Sequence, residues 1–229
     1  MWRDWIMPKH ALLSASSSDR WIHCPPSARL SETYEDKGSD YAAEGTDAHS
    51  LCEYKLKKAL GMEADDPTEH LSWFNQEMDD HATGYAAYVL EQVEAAKETC
   101  SDPVVLIEQR VDFSRWVEEG FGTADCIVIA DGTLQIIDFK YGLGVLVSAE
   151  ENPQMMCYAL GALELLRWAP TPDQRPRPQR NCSTPFLSHG ATLSRMPRPA
   201  RQMLSVRYST EVRSTPQSPL RSRCLSLPA

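Results

Sequence analysis

Two apolar, β-branched runs, Phe121 to Ala130 and Thr133 to Tyr141, flank an Asp131-Gly132 pair. Asp-Gly between such runs suits a two-residue hairpin turn, so the runs are predicted to pair as antiparallel neighbours. The turn also sets the register. Asp125 lies six residues before Asp131 and Asp138 six after Gly132, which places the two aspartates opposite or nearly so, about 5 Å apart between backbones. Lys140, two residues beyond Asp138, emerges on the same face of its strand. Facing aspartates repel and raise each other's pKa, and a divalent cation that accepts both as ligands removes that penalty. The set favours Mg²⁺ or Mn²⁺. An Asp-x-Lys on a strand is ordinarily a solvated face, and an Asp125 to Lys140 surface pair is worth under about 1 kcal/mol. Here, however, Asp138 follows Leu134, Ile136 and Ile137, and Asp125 precedes Cys126-Ile127-Val128-Ile129. A charge at the end of an apolar strand often opens into a site.

The remaining pattern surrounds this hairpin with helices. Ser14 to Ser31 reads as a short helix and a corner, with a serine cluster able to cap and a Cys24-Pro25-Pro26 break. Tyr41 to Leu60 carries Ala43, Ala48, Leu51, Leu56 and Leu60 near helical spacing, with Gly61 as its stop. His70 to Thr99 reads as a second long helix with a break near Gly84, its apolar residues including Trp73, Phe74, Met78, Tyr85, Tyr88, Val89 and Val93. Val104 to Phe113 switches to a strand pattern. Gly142 to Ala149 is a loop, and Asn152-Pro153 opens a last helix to Trp168 with Met156, Leu160, Leu163 and Leu166 as its apolar stripe. The order of helix, helix, three strands, helix defines an α/β domain.

Charge divides the chain. Residues 1–168 hold 13 Lys+Arg against 30 Asp+Glu, whereas residues 169–229 hold 10, all Arg, against 2, together with 10 of the 16 prolines. The second stretch shows neither helical nor strand periodicity in segments such as Ala169 to Arg180 and Ser214 to Arg223, and is expected to form a disordered tail. Three origins fit it: an out-of-frame continuation that truncates the native domain, an Arg-rich arm that neutralises phosphates, or an ordinary extension. No apolar run approaches the roughly 20 residues that span a bilayer, and no secretory leader is evident. Seven irregularly spaced cysteines without a CxxC pair argue against a disulfide framework. A cytoplasmic protein without membrane attachment is expected.

Taken singly, His49 reads as a surface or satisfied core histidine, and Gln154 with Tyr158 as a polar helix edge. Their order changes that reading. Gly122-Thr123-Ala124-Asp125, Ile136-Ile137-Asp138-Phe139-Lys140 and Gln154 with Tyr158, preceded by Gly45-Thr46-Asp47-Ala48-His49 and Glu53, resemble the RecB-like branch of the PD-(D/E)XK nuclease superfamily. SASSSDRWIHCP, YAAEGTDAHSLCE and NPQMMCYALGALE together resemble, more narrowly, a phage-associated family of uncharacterised RecB-like proteins. The resemblance covers roughly residues 10–168.

It implies a restriction-endonuclease-like core, a small mixed sheet flanked by helices, and an Mg²⁺- or Mn²⁺-dependent deoxyribonuclease of exonuclease type and phage or prophage origin. DNA is the implied substrate, with phage recombination or replication proteins as partners. It further implies that His49, Asp125, Asp138 and the Phe139 carbonyl bind the metal, and that Lys140 orients or deprotonates water. Gln154 and Tyr158 would position DNA or the lysine. Glu44, off the His49 face, and Glu53, near it, are weaker candidates. Some RecB-like nucleases join a cysteine like Cys24 to three C-terminal cysteines around an iron-sulfur cluster; Cys182 and Cys224 are wrongly spaced, so no cluster is expected and Cys24 is expected to be a buried thiol. The alternatives to an active nuclease are a non-enzymatic truncated remnant and a nucleic-acid-binding protein with a basic disordered arm.

Overall fold

The Asp131-Gly132 hairpin lies at the heart of the sheet. In the computed structural model, which describes residues 11–34, 38–142, 147–168, 188–195 and 202–209, β1 (Val104–Asp112), β2 (Phe121–Ala130) and β3 (Thr133–Lys140) are consecutive antiparallel neighbours. Gly132 takes φ of 72° at the turn, a conformation open to glycine without steric cost. Two further strands, β4 (Ser188–Arg195) and β5 (Gln202–Ser209), extend the order to β1-β2-β3-β5-β4. Every pairing among the described strands is antiparallel. The expected mixed sheet is therefore corrected: β5 reaches β3 as one arm of a β4-β5 pair and runs against it.

The strands at 188–195 and 202–209 also correct the expectation that nothing beyond Trp168 packs on the domain. β5 pairs with β3 along its whole length, from Thr133↔Ser209 to Lys140↔Gln202, and Val206 and Tyr208 are buried in the core. Leu204, Val206 and Tyr208 form a period-2 apolar pattern typical of a strand, which the arginine and proline content around it masks. The rest of 169–229, including Cys182 and Cys224, lies outside the described residues.

Helices cover both faces of the sheet. On one, α5 (Pro153–Trp168) packs with the N-terminal corner formed by a 3-10 turn at Ala15–Ser17, α1 (Ser18–His23) and α2 (Pro26–Glu32). On the other lie α3 (Asp40–Ala59) and α4 (Gln76–Lys97). Ser39 caps α3 by accepting the Ala42 N–H, and Gly61, at φ of 75°, ends it: Met62 N–H reaches the Lys57 carbonyl at 2.9 Å and Gly61 N–H the Lys58 carbonyl at 3.1 Å, the paired bonds of a Schellman stop. The Asn75 side chain caps α4 through the Met78 N–H, so the helix begins at Gln76, later than expected, leaving Trp73 and Phe74 exposed ahead of it. It runs unbroken through Gly84, burying Met78, Ala82, Tyr85, Ala86, Val89 and Val93 at helical spacing.

Two expectations about side chains also change. Helix α5 buries Met155, Tyr158, Ala159 and Ala162, whereas Met156 and Leu166 of the expected stripe are exposed. Small residues win that face because the helix sits close to β1: a Cβ built on Gly161 would lie 2.7 Å from Val111 Cβ. Cys24, expected to be buried, is exposed because it ends α1 at the Cys-Pro-Pro corner.

Candidate metal centre

The site lies where the sheet loses its side-chain alternation. Along β1, Leu106 packs on the α5 face and Ile107 on the α3/α4 face, which by period 2 assigns Val111 to the α3/α4 face; Val111 instead packs on the α5 face. Strand β2 slips likewise, with Ile127 and Ala124 both on the α5 face. The two slips coincide at Glu108 and Asp125, which stand opposite each other between the pairs Ile107↔Cys126 and Gln109↔Ala124. Glu108 has φ of 47°, a left-handed conformation uncommon outside glycine and concentrated at functional sites. On its other side β2 leaves the β3 ladder after Cys126↔Ile137, one residue short of Asp125 and Asp138. There the Asp125 Oδ2 accepts the Phe139 N–H at 2.7 Å.

This break lets one carboxylate meet groups from both layers. From α3, His49 Nδ1 comes to 3.4 Å from Asp125 Oδ2, its ring edge-on to buried Phe139 with centroids 5.9 Å apart. From β3, Asp138 is buried on the α5 side, its Oδ2 2.9 Å from Lys140 Nζ. From the first turn of α5, Gln154 Nε2 donates to Asp138 Oδ1 and to the Tyr158 hydroxyl, both at 3.0 Å, while its Oε1 accepts from Lys140 Nζ at 2.8 Å. Asn152 sets that first turn by accepting the Met155 N–H. Gly122 clears the space: a Cβ there would stand 2.9 Å from the Tyr158 ring and 3.0 Å from Ala15 Cβ.

His49, Asp125, Asp138, Phe139, Lys140, Gln154 and Tyr158 are thus brought together, each as a neighbour of at least one other. Glu53 is taken up in an ion pair with Lys57, and its charge reaches the centre only through its repulsion of Glu108. Sequence reasoning missed Glu108. The signal was a lone carboxylate closing the run Val104-Val105-Leu106-Ile107, but residues 113–120 carry no tight-turn signature to set β1 in register with β2.

His49, Glu108 and Asp125 offer one nitrogen and two carboxylate oxygens, all within 4.8 Å of one another, a donor set suited to a divalent cation. The electrostatics agree. Burial works to lower the His49 pKa, but Asp125, Asp138 and Glu108 outweigh it and carry it up to about 9. Burial and then the Asp125 charge push Glu108 up to about 7. Burial pushes Asp138 up to about 6 against the pull of Lys140. The field that holds a proton on His49 equally favours a metal ion, which would displace that proton. His49, Glu108 and Asp125 therefore form a group that can bind a metal.

No helix among the described residues is long and apolar enough to cross a membrane. No solved structure matches the chain. A family model described as "Protein of unknown function (DUF2800)" matches residues 10–168, which contain every residue of the centre. With more than half of its length matched, the chain belongs to the DUF2800 family.

Proposed function

We propose that this chain is a divalent-metal-dependent deoxyribonuclease with a PD-(D/E)XK core of the RecB-like type, hydrolysing phosphodiester bonds in the cytoplasm of a phage-infected or prophage-carrying cell. The observation that carries the reading is the convergence on one break in the sheet of a metal-binding group and an immobilised lysine. Asp125 belongs to the group and accepts the Phe139 N–H, next to Asp138, which holds Lys140.

His49 and Asp125 would hold the cation, Mg²⁺ or Mn²⁺. When bound, the ion supplies a water of lowered pKa and a positive charge against the phosphate oxygens. Asp125 is fixed for that task by the Phe139 N–H, and the His49 ring is steadied by its T-shaped contact with Phe139. Lys140 is held at two points, by Asp138 and Gln154, so its ammonium is pre-oriented to guide the attacking water and stabilise charge on the phosphate, at no reorganisation cost when charge develops. Tyr158 orients Gln154 from the next helical turn.

The sheet supports an intact domain over a truncated remnant, because β3, which carries Asp138 and Lys140, is paired on both sides. Incubating the chain with end-labelled single- and double-stranded DNA and Mn²⁺ tests the proposal. Cleavage abolished by EDTA and by Asp125→Asn is expected; metal-independent cleavage, or none, would reject it.

A further inference from the structure

We propose that the loop ahead of α4, with Trp73 and Phe74 side by side in it, is a docking surface for an arginine-bearing peptide segment of another protein. The surface lies outside the metal centre and does not rest on the nuclease reading.

The two rings stand out on a loop that is held firmly without them. Trp73 and Phe74 are each 41% exposed. The Trp73 N–H donates to Asp47 Oδ2 of α3 at 2.8 Å, and its carbonyl accepts from Asn75 Nδ2 at 3.1 Å, while Asn75 Oδ1 caps α4. Both Trp73 bonds run through its backbone, so any side chain at that position would keep them. Leu71 already ties the loop to the core around α3 and α4. The fold therefore does not call for an indole and a phenyl ring next to each other in solvent. Held on a fixed loop, they form a pre-organised apolar anchor, the kind of group that dominates binding at protein interfaces.

Charge indicates what the anchor meets. On α3, Asp40, Glu44 and Asp47 fall at i, i+4 and i+7 and share one face, and Asp47 on that face bonds Trp73. Glu77 and Asp80, both exposed, follow the rings in the first two turns of α4. Few cations dilute the set: residues 38–54 and 59–96 contain no Lys or Arg, and of the three lysines between those stretches Lys55 is paired with Asp79 and Lys57 with Glu53. A polyanion such as DNA is repelled from this face. Arginine suits it on two counts, because a planar guanidinium can stack on an indole and bond a flanking carboxylate at the same time. Aliphatic side chains beside the arginine would cover Phe74. Bound there, a basic partner would offset part of the negative charge that the domain turns toward a polyanion.

Fluorescence anisotropy of a fluorescein-labelled dodecapeptide of arginine, leucine and glycine, titrated with the full chain, tests the surface. Wild type is expected to bind it, less tightly as salt rises from about 0.05 to 0.3 M, and not to bind the same peptide with glutamate in place of arginine. Trp73→Ala should weaken binding about tenfold or more, as loss of an aromatic anchor does. Glu44→Gln combined with Glu77→Gln leaves the loop untouched and should weaken binding at low salt only, which separates loss of the face from loss of folding; circular dichroism melts accompany each variant. No binding by wild type, affinity unchanged in both variants, or Trp73-dependent binding of single-stranded DNA in preference to the peptide would overturn the proposal. The full chain carrying Phe74→p-benzoylphenylalanine decides the source of the arginine. Photo-cross-links to the added peptide are expected, whereas cross-links from position 74 into residues 169–229 of the same chain would make the occupant intramolecular and overturn the assignment to another protein.

Discussion

Val206 gives a direct measure of whether the strand beyond Trp168 belongs to the domain. It stands opposite Ile136 across the β3-β5 pair, and the two are 2% and 0% exposed. Val206→Ala removes two carbons from the core. At about 0.8 kcal/mol per buried carbon group the transfer loss is about 1.6 kcal/mol, and incomplete collapse of the space left behind brings the total to about 2–3 kcal/mol. In a domain of this size each kcal/mol moves the melting temperature by about 2–4 °C, so a fall of about 5–10 °C is expected. Urea denaturation followed by tryptophan fluorescence and circular dichroism would measure it. Val104→Ala is the control, since Val104 is exposed at the start of β1 and its loss should stay within about 0.5 kcal/mol. A cycle combining Val206→Ala with Ile136→Val should show coupling of about 0.5 kcal/mol or more, as residues in contact do. If Val206→Ala matches the Val104 control and the cycle is additive, β5 does not pack on β3 and the boundary near residue 168 is restored.

Other expectations are simpler to read. Gly161→Ala would place a Cβ 2.7 Å from Val111 Cβ and 3.2 Å from the Asp112 nitrogen, forcing α5 off β1 and destabilising the chain by about 1–3 kcal/mol; a neutral or stabilising effect in urea melts would show that α5 does not approach so closely. Metal-free stability should fall as pH rises. Glu108 and Asp138, raised to about 7 and about 6, bind protons more tightly folded than unfolded, so each disfavours the folded state progressively up to its folded pKa and throughout the range above it. His49 adds to the trend: its stabilising contribution is complete below about 6.5 and is lost as pH rises through about 9. Melting temperature should therefore decline between about pH 5 and pH 9 and flatten with saturating Mn²⁺; a metal-free rise across that range would contradict the assigned charges.

How far the site could be read from the residues differs from one to the next. The two-residue turn made the hairpin countable, and the ladder follows that count as far as Cys126↔Ile137, one residue short of Asp125 and Asp138. The spacing of Gln154 and Tyr158 likewise survives, because one helical turn is rigid. What counting could not supply was the phase slip. Period-2 reading assumes unbroken alternation, and a left-handed residue at Glu108 reverses it without changing the register, so the third acid stayed hidden. Of the expected α5 stripe Leu160 and Leu163 do pack on the core, while Met156 and Leu166 were misread for a related reason: hydrophobicity ranks them above Ala159 and Ala162, but close approach to Val111 selects by size. In β5, Val206 and Tyr208 alternate correctly. Average composition over residues 169–229 conceals an eight-residue strand, and the buried side-chain bond that ties it to β3, Gln135 with Ser205 at 2.8 Å, joins residues distant in sequence.

Separating catalysis from metal binding at Lys140 tests the central claim most directly. Lys140 contacts Asp138 and Gln154 and is placed to act on water and phosphate, so Lys140→Ala should lower single-turnover DNA hydrolysis in Mn²⁺ by about 100-fold or more while the Mn²⁺-induced rise in melting temperature persists. Both quantities should be measured on the same preparation. Hydrolysis at the wild-type rate in the variant, or loss of the Mn²⁺ shift together with activity, would contradict the role given to Lys140.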